Sequence, residues 1–174
     1  MSDLDALRSA VRDVPDFPKP GIIYKDIAPI LADPKLFKRA VHLMADTVGT
    51  DQIDKIVAVE ARGFIFGGAM AHHLGAGFVP LRKGGKLPGK KRQIAYTLEY
   101  GESVIELQQD AIKPGEKVLL VDDLLATGGT VAAAVELIKQ LDANLIGIAV
   151  LVELGFLKGR DKLPDTPIFS ILQY

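Results

Sequence analysis

Cysteine is absent from the 174 residues, which removes disulfides, thiolate nucleophiles and cysteine metal sites together. Long apolar runs are missing too. The longest, Leu145 to Val152, is closed by Glu153 and is too short to span a bilayer. The amino terminus mixes Asp3, Asp5 and Arg8 around no apolar segment, so it does not read as a signal peptide. The expectation is a cytoplasmic protein with no membrane partner. Neither sign of charge is in excess. With 21 basic and 22 acidic side chains the formal net charge is -1, which argues against general nucleic-acid binding. His42, His72 and His73 are spaced for helix faces rather than for a metal site. No tandem repeat, low-complexity stretch or linker interrupts the composition. A chain of this length buries about 70% of its unfolded surface as one domain, so it needs no staples.

The pattern along the chain alternates strands with helices. A helix is expected near Asp3 to Arg12, then a proline-rich loop through Pro20-Gly21. Asp33-Pro34 opens a second helix, with Asp as cap and Pro at the first helical position, running to about Val48. Lys55 to Val59 reads as a buried strand, Gly63 to Leu74 as a helix and Phe78 to Leu81 as a strand. A basic loop, Arg82 to Arg92, precedes Gln93 to Glu99 and Ser103 to Gln108, which pair as a hairpin across Tyr100-Gly101. The strand from Val118 to Val121, a helix from Val131 to Leu141 and strands over Leu145 to Leu151 and Ile168 to Leu172 complete the set. Such alternation implies an α/β fold: a mostly parallel central sheet flanked by helices, with one antiparallel hairpin.

The most informative stretch is Val118-Leu-Leu-Val-Asp122-Asp123-Leu-Leu-Ala126-Thr127-Gly128-Gly129-Thr130. Two adjacent carboxylates follow a buried strand, at the carboxyl end where open α/β sheets bind ligands. Gly128 and Gly129 let the backbone approach an anion, Thr127 and Thr130 add hydroxyls, and the helix behind them supplies unpaired N–H groups and its positive dipole end. The acids repel each other by about 2 to 3 kcal/mol at about 6 Å and an effective dielectric near 20, so something must compensate. Vicinal hydroxyls, a cation or both would do so, and a ribose beside the phosphate is the economical ligand.

Glu60-Ala61-Arg62-Gly63 repeats the same logic after the strand at 55–59 and predicts a second anion site. The run Gly84-Gly85-Lys86-Leu87-Pro88-Gly89-Lys90-Lys91 nearly spells a nucleotide-triphosphate loop. It fails at Lys91, where Ser or Thr is needed, and in context, because a strand follows it. Its glycines instead read as the hinges of a mobile loop whose Arg82, Lys83 and Lys86 could close over an anion.

The acidic pair and glycine turn resemble the signature of the type I phosphoribosyltransferases. That resemblance implies that Asp122, Asp123, Ala126, Thr127, Gly128, Gly129 and Thr130 hold the 5-phosphate and ribose diol of phosphoribosyl pyrophosphate. It also implies that Glu60, Ala61 and Arg62 hold the pyrophosphate on a backbone of unusual peptide geometry, with Arg82, Lys83 and Lys86 closing over that pyrophosphate. Tyr96-Thr-Leu-Glu99-Tyr100-Gly101, Pro15 to Ile27, Arg82 to Gly89, Gly159-Arg160 and Phe169 to Tyr174 together are similar to the adenine-using branch of that family, over almost the whole chain. From this branch the main chain of Ile23 is expected to read the adenine amino edge, Tyr24 to stack on the base, and Lys25 to approach the base or the loop above it. Arg62 contacts either pyrophosphate or base. The residues alone leave Glu99 a solvated carboxylate at a hairpin end; the resemblance makes it the general acid/base and Tyr100 an aid to closure. The family implies Mg2+ held mainly by pyrophosphate and ribose oxygens, adenine, AMP and pyrophosphate as the other ligands, and a homodimer. The expected layout is one domain, 1–174, with a hood at 1–33 that binds the base and a mobile loop and hairpin at 82–108.

Overall fold

The computed structural model describes residues 2–49, 52–98, 101–163 and 165–174. It divides into two compact units, residues 1–43 and 44–174. The hood expected over 1–33 falls within the smaller of them.

The small unit opens with α1 (Asp3–Ala10), capped by Ser2, whose hydroxyl accepts from Asp5 N while the Asp5 carboxylate accepts from Ser2 N. This reciprocal pair satisfies two amides that a helix start otherwise leaves unpaired. The proline-rich stretch, expected to be loop throughout, instead carries β1 (Arg12–Pro15) and β2 (Ile23–Asp26), antiparallel with Asp13 opposite Lys25 and Val14 opposite Tyr24. The prolines fall at the strand end and in the connection, where no ladder donor is lost. A short α2 (Ala28–Ala32) precedes α3 (Pro34–Asp46). The Asp33 carboxylate accepts from the amides of Lys35 and Leu36, the cap anticipated for it.

In the larger unit a seven-stranded sheet has the order β5-β6-β4-β3-β7-β8-β9. Its strands and helices, in chain order, are β3 (Lys55–Val59), α4 (Gly63–Leu74), β4 (Gly77–Lys83), β5 (Lys91–Leu98), β6 (Gly101–Gln108), β7 (Lys117–Leu125), α5 (Gly129–Lys139), β8 (Asn144–Glu153) and β9 (Ile168–Gln173). Strands β4, β3, β7, β8 and β9 run parallel; β6 joins β4 antiparallel and pairs with β5 as the expected hairpin. Val57, Leu81, Leu120, Leu137, Ile148 and Val150 belong to one buried cluster under α5. Because β4 lies on one side of β3 and β7 on the other, the chain reverses its direction of travel across the sheet at the β3/β7 boundary. Ligands of open α/β sheets bind outside the carboxyl ends of the strands at such a point.

A second expectation needs correction. Strand β7 does not end at Val121 but continues through Asp122 and Asp123 to Leu125, paired with β8 up to Leu125 opposite Glu153. Charge did not end the strand because its backbone donors and acceptors stay in the ladder whatever the side chain carries. The basic loop packs on a buried acid. The Glu106 carboxylate, fully buried on β6, accepts from the amides of Gly85 (3.0 Å), Lys86 (2.7 Å) and Leu87 (2.5 Å) and from Gln93 Nε2 (2.8 Å), and Lys91 Nζ lies 3.3 Å away. Burial alone would raise the Glu106 pKa; the hydrogen bonds from Gln93, Leu87, Gly85 and Lys86 outweigh it and hold the group at about 2.

Because the folded pKa lies below that of the unfolded chain, this carboxylate stabilises the fold above about pH 4.5, and its contribution is lost as the pH falls toward about 2. Glu106→Ala is expected to cost about 3 kcal/mol or more in urea unfolding at pH 7, since several buried donors lose their acceptor. Glu106→Gln should remove this source of acid sensitivity between pH 5 and pH 3, checked by the same titration at both pH values.

Candidate active site

Two helix starts meet at the β3/β7 boundary. After β3, the peptide between Glu60 and Ala61 is cis, an unusual geometry of the kind expected for this turn, and α4 begins behind Arg62 with no side-chain cap. After β7, residues 126–128 turn into α5, which also starts without a side-chain cap, behind Gly128 at φ 80°. Uncapped starts leave amide donors for water or a ligand and present positive dipole ends. A cleft of about 330 Å³ joins the two turns, lined among others by Glu60, Arg62, Arg82, Lys83, Asp122, Asp123 and Thr130. A smaller hollow lies along Asp122 and 124–131 and so shares Asp122, Leu124 and Thr130 with it.

The carboxylate pair forms the floor. Asp123 N donates to Asp122 Oδ1 at 2.8 Å, and Arg62 Nε lies 2.8 Å from Asp123 Oδ2. The contact is an ion pair and not a directed hydrogen bond, so Asp123 Oδ2 is buried without a hydrogen-bond donor among the described residues. Asp122 keeps some exposure to the cleft yet is crowded by protein on nearly every side. That desolvation, followed by the negative charge of Asp123, pushes its pKa well above the usual carboxylate range. Gly63 is required beside it, because a Cβ there would stand 2.9 Å from Asp122 Oδ1. Compensation for the pair thus begins inside the protein, with Arg62, rather than with a ligand alone. Arg62 faces Asp123 in this structure.

Glu60 is engaged from within the protein. Its amide donates to Leu81 O, and its carboxylate accepts from Arg82 Nη2 at 2.9 Å and from Lys83 N at 3.1 Å, with Lys86 Nζ at 3.8 Å. The hydrogen bond from Arg82 is the main reason its pKa falls. Through these contacts Glu60 gathers Arg82, Lys83 and Lys86 at the cleft wall. Arg82 Nε is buried there without an acceptor among the described residues. The floor thus presents an acceptor lacking a donor, and the wall a donor lacking an acceptor.

The phosphate-type turn rests on a second segment. A Cβ on Gly128 would lie 2.4 Å from Gly159 O, and one on Gly159 would lie 2.4 Å from Ala126 O, so two stretches of backbone touch where only glycine fits. Gly129 has no such constraint: its Cβ would meet Thr97 O at 3.7 Å, an ordinary contact. Thr130 Oγ1 donates to the Tyr96 hydroxyl of β5 at 3.1 Å. Ala126, Thr127, Gly128, Gly129 and Thr130 all line the smaller hollow.

In the small unit, Ile23 is 55% exposed, the Tyr24 ring meets Phe17 edge-on at 5.2 Å, and Lys25 Nζ pairs with Asp13 at 2.6 Å. Glu99 and Tyr100 lie outside the described residues. Tyr96 and Glu106 were not foreseen as contributors. For Glu106 the signal was its place in an alternating strand opposite Gln93.

Residues 26–172 match the model of the phosphoribosyl transferase domain. The chain belongs to the phosphoribosyltransferase family. It is 53% identical over 171 residues to the adenine phosphoribosyltransferase of Syntrophotalea carbinolica, covering 98% of this chain and all of that one, 100%. Among solved structures it is similar to the adenine phosphoribosyltransferase of Thermoanaerobacter pseudethanolicus, with TM-score 0.95 and 44% identity over 98% of this chain and 99% of that one. The Saccharomyces cerevisiae enzyme, complexed with an imino-altritol 1,6-bisphosphate and adenine, gives TM-score 0.93 and 44% identity over 98% of each chain.

Asp122→Asn keeps the acceptor for Asp123 N and adds a donor toward Asp123 while removing a disfavoured charge. This variant is expected to raise the melting temperature of the ligand-free protein at pH 7, measured by calorimetry; a lower value would contradict the raised pKa. Gly128→Ala should lower it, by clash and by positive φ together, whereas Gly129→Ala should leave it within about 2 °C.

Proposed function

We propose that this chain transfers the 5-phosphoribosyl group of phosphoribosyl pyrophosphate to adenine, yielding AMP and pyrophosphate in purine salvage. The observation that carries this reading is the pairing, in one cleft, of two uncapped helix starts with an orphan acceptor and an orphan donor. A sugar bearing anionic groups at both ends satisfies all four. Its 5-phosphate would sit on the amides of the 126–130 turn, its hydroxyls would donate to Asp122 and Asp123, and its pyrophosphate would accept from Arg82, Lys83, Lys86 and the Ala61–Arg62 turn.

As pyrophosphate departs, positive charge builds on the ribose carbon. The carboxylate pair beneath the sugar stabilises that charge, and the cationic wall stabilises the leaving group. Mg2+ fits this donor set, since it takes one or two carboxylates plus substrate oxygens and water; Asp122 and Asp123 would help to hold it, and it would supply neutralisation of the charge on the leaving pyrophosphate. For the base, the resemblance supports Ile23 and Tyr24 as reader and stacking ring, with Lys25 beside them. Glu99 would take the proton that adenine loses on attack, and Tyr100 would help exclude water. The family resemblance likewise supports a homodimer acting in the cytoplasm, checked by sedimentation of the purified chain.

The test is direct. Purified protein with Mg2+, phosphoribosyl pyrophosphate and adenine should form AMP, followed by chromatography; absence of pyrophosphate release would sink the reading, and preference for hypoxanthine or guanine would sink the choice of base. Glu99→Gln should lower kcat about 100-fold or more with little change in donor KM, whereas Asp123→Asn should act mainly on donor KM. Equal effects of the two variants on both constants would contradict the division of roles.

A further inference from the structure

The turn at 126–130 has a charge problem that its own residues do not solve. It is lined by backbone, small side chains and the Asp122 carboxylate, with no basic side chain among the lining residues. A phosphate dianion placed there stands close to a carboxylate. Two uncharged sources oppose that repulsion, the amides and the helix dipole, and the dipole counts for only about half an elementary charge.

A cation is brought to the turn from elsewhere in the chain. After β8 the backbone makes two 3₁₀ turns, Gly155–Leu157 and Gly159–Lys162, and the second lies against α5. Its position is fixed from three sides. Gly159 abuts the turn itself, at the 2.4 Å approach described above. Arg160 is locked by a bidentate pair to the buried Glu153, Nε to Oε1 at 2.6 Å and Nη2 to Oε2 at 2.7 Å, and Nη1 donates to Ile168 O. Leu163, buried, joins the core cluster. Between the last two anchors stands Lys162. A Cβ on Gly129 would lie 4.0 Å from its Nζ, so the ammonium faces the first residue of α5. Lys162 is exposed and makes no ion pair among the described residues.

We propose that Lys162 is a phosphate-binding residue of the 126–130 turn, delivered by a segment that the Glu153–Arg160 pair holds in place. The inference rests on the phosphoribosyl reading of that turn and adds a charged recognition element to it. The ammonium supplies a charge-assisted hydrogen bond to a phosphate oxygen and offsets Asp122 across the hollow. Lysine suits this position because a point charge on a flexible stem adjusts to the ligand, while its neighbour Arg160 uses the planar fork that a fixed bidentate anchor needs.

AMP and adenosine differ only in the phosphate, so their binding to the full-length protein, by calorimetry, isolates the effect. Lys162→Met should weaken AMP about tenfold and leave adenosine unchanged, and Lys162→Arg should recover most of the loss. Melting temperatures within about 2 °C of the parent would show that the fold is intact. The proposal is overturned if Lys162→Met leaves AMP affinity unchanged, if it weakens adenosine as much as AMP, or if the parent binds AMP no better than adenosine. Weaker AMP binding by Lys162→Met, alongside a parent protein that binds AMP but shows no turnover, would instead retain Lys162 and reject the transferase reading.

Discussion

A carboxylate taken out of water must be met by donors or cations, and the walls of this cleft are organised by that requirement. The buried acids Glu106, Asp123 and Glu153 lie on β6, β7 and β8, the last two adjacent in the sheet. Each recruits a different piece of chain. Glu106 gathers the amides of the glycine-rich loop, Asp123 draws in Arg62 from the turn after β3, and Glu153 grips Arg160 behind the phosphate-type turn. Buried charges of this kind add little net stability but are costly to unpair, so the loops they hold have few alternative positions.

Asp122 is the exception, and its difference bears on function. Glu106 and Glu153 are matched by hydrogen bonds from within the protein and Asp123 by its ion pair with Arg62, whereas Asp122 is crowded, half-open to the cleft and opposed by its neighbour. The protein retains an unfavourable charge where a ligand's hydroxyls or an accompanying cation would relieve it. Sites that are preorganised against the empty state bind more selectively, because only a ligand carrying the right donors recovers what folding left unsatisfied.

Much of the frame was legible in the sequence because periodicity reports burial. The strand Lys55–Val59 and the helix Gly63–Leu74 fall where the apolar pattern placed them. The two errors have one cause, that a residue's polarity was taken to decide the local backbone. Asp122 and Asp123 were read as ending β7 and the prolines as forbidding strands near the amino terminus, yet ladder bonds tolerate both when the side chain finds a partner or the ring sits at a strand end. At the site, the hydroxyl and glycine turn was visible because its chemistry is contiguous. The roles of Glu60, Glu106 and Arg160 were not, since a lone charged residue looks solvated until the fold brings its partner, and those partners lie on other strands and loops.

The mutual approach of Gly128 and Gly159 has an implication for transplantation and for drift. Neither glycine can acquire a side chain while the other segment stays where it is, so the two positions form a single steric unit split across the chain. The stretch from Asp122 to Thr130 is therefore not a portable module. Grafted into another α/β scaffold without a close-fitting second backbone behind it, the loop would keep its residues and lose the shape that gives them meaning.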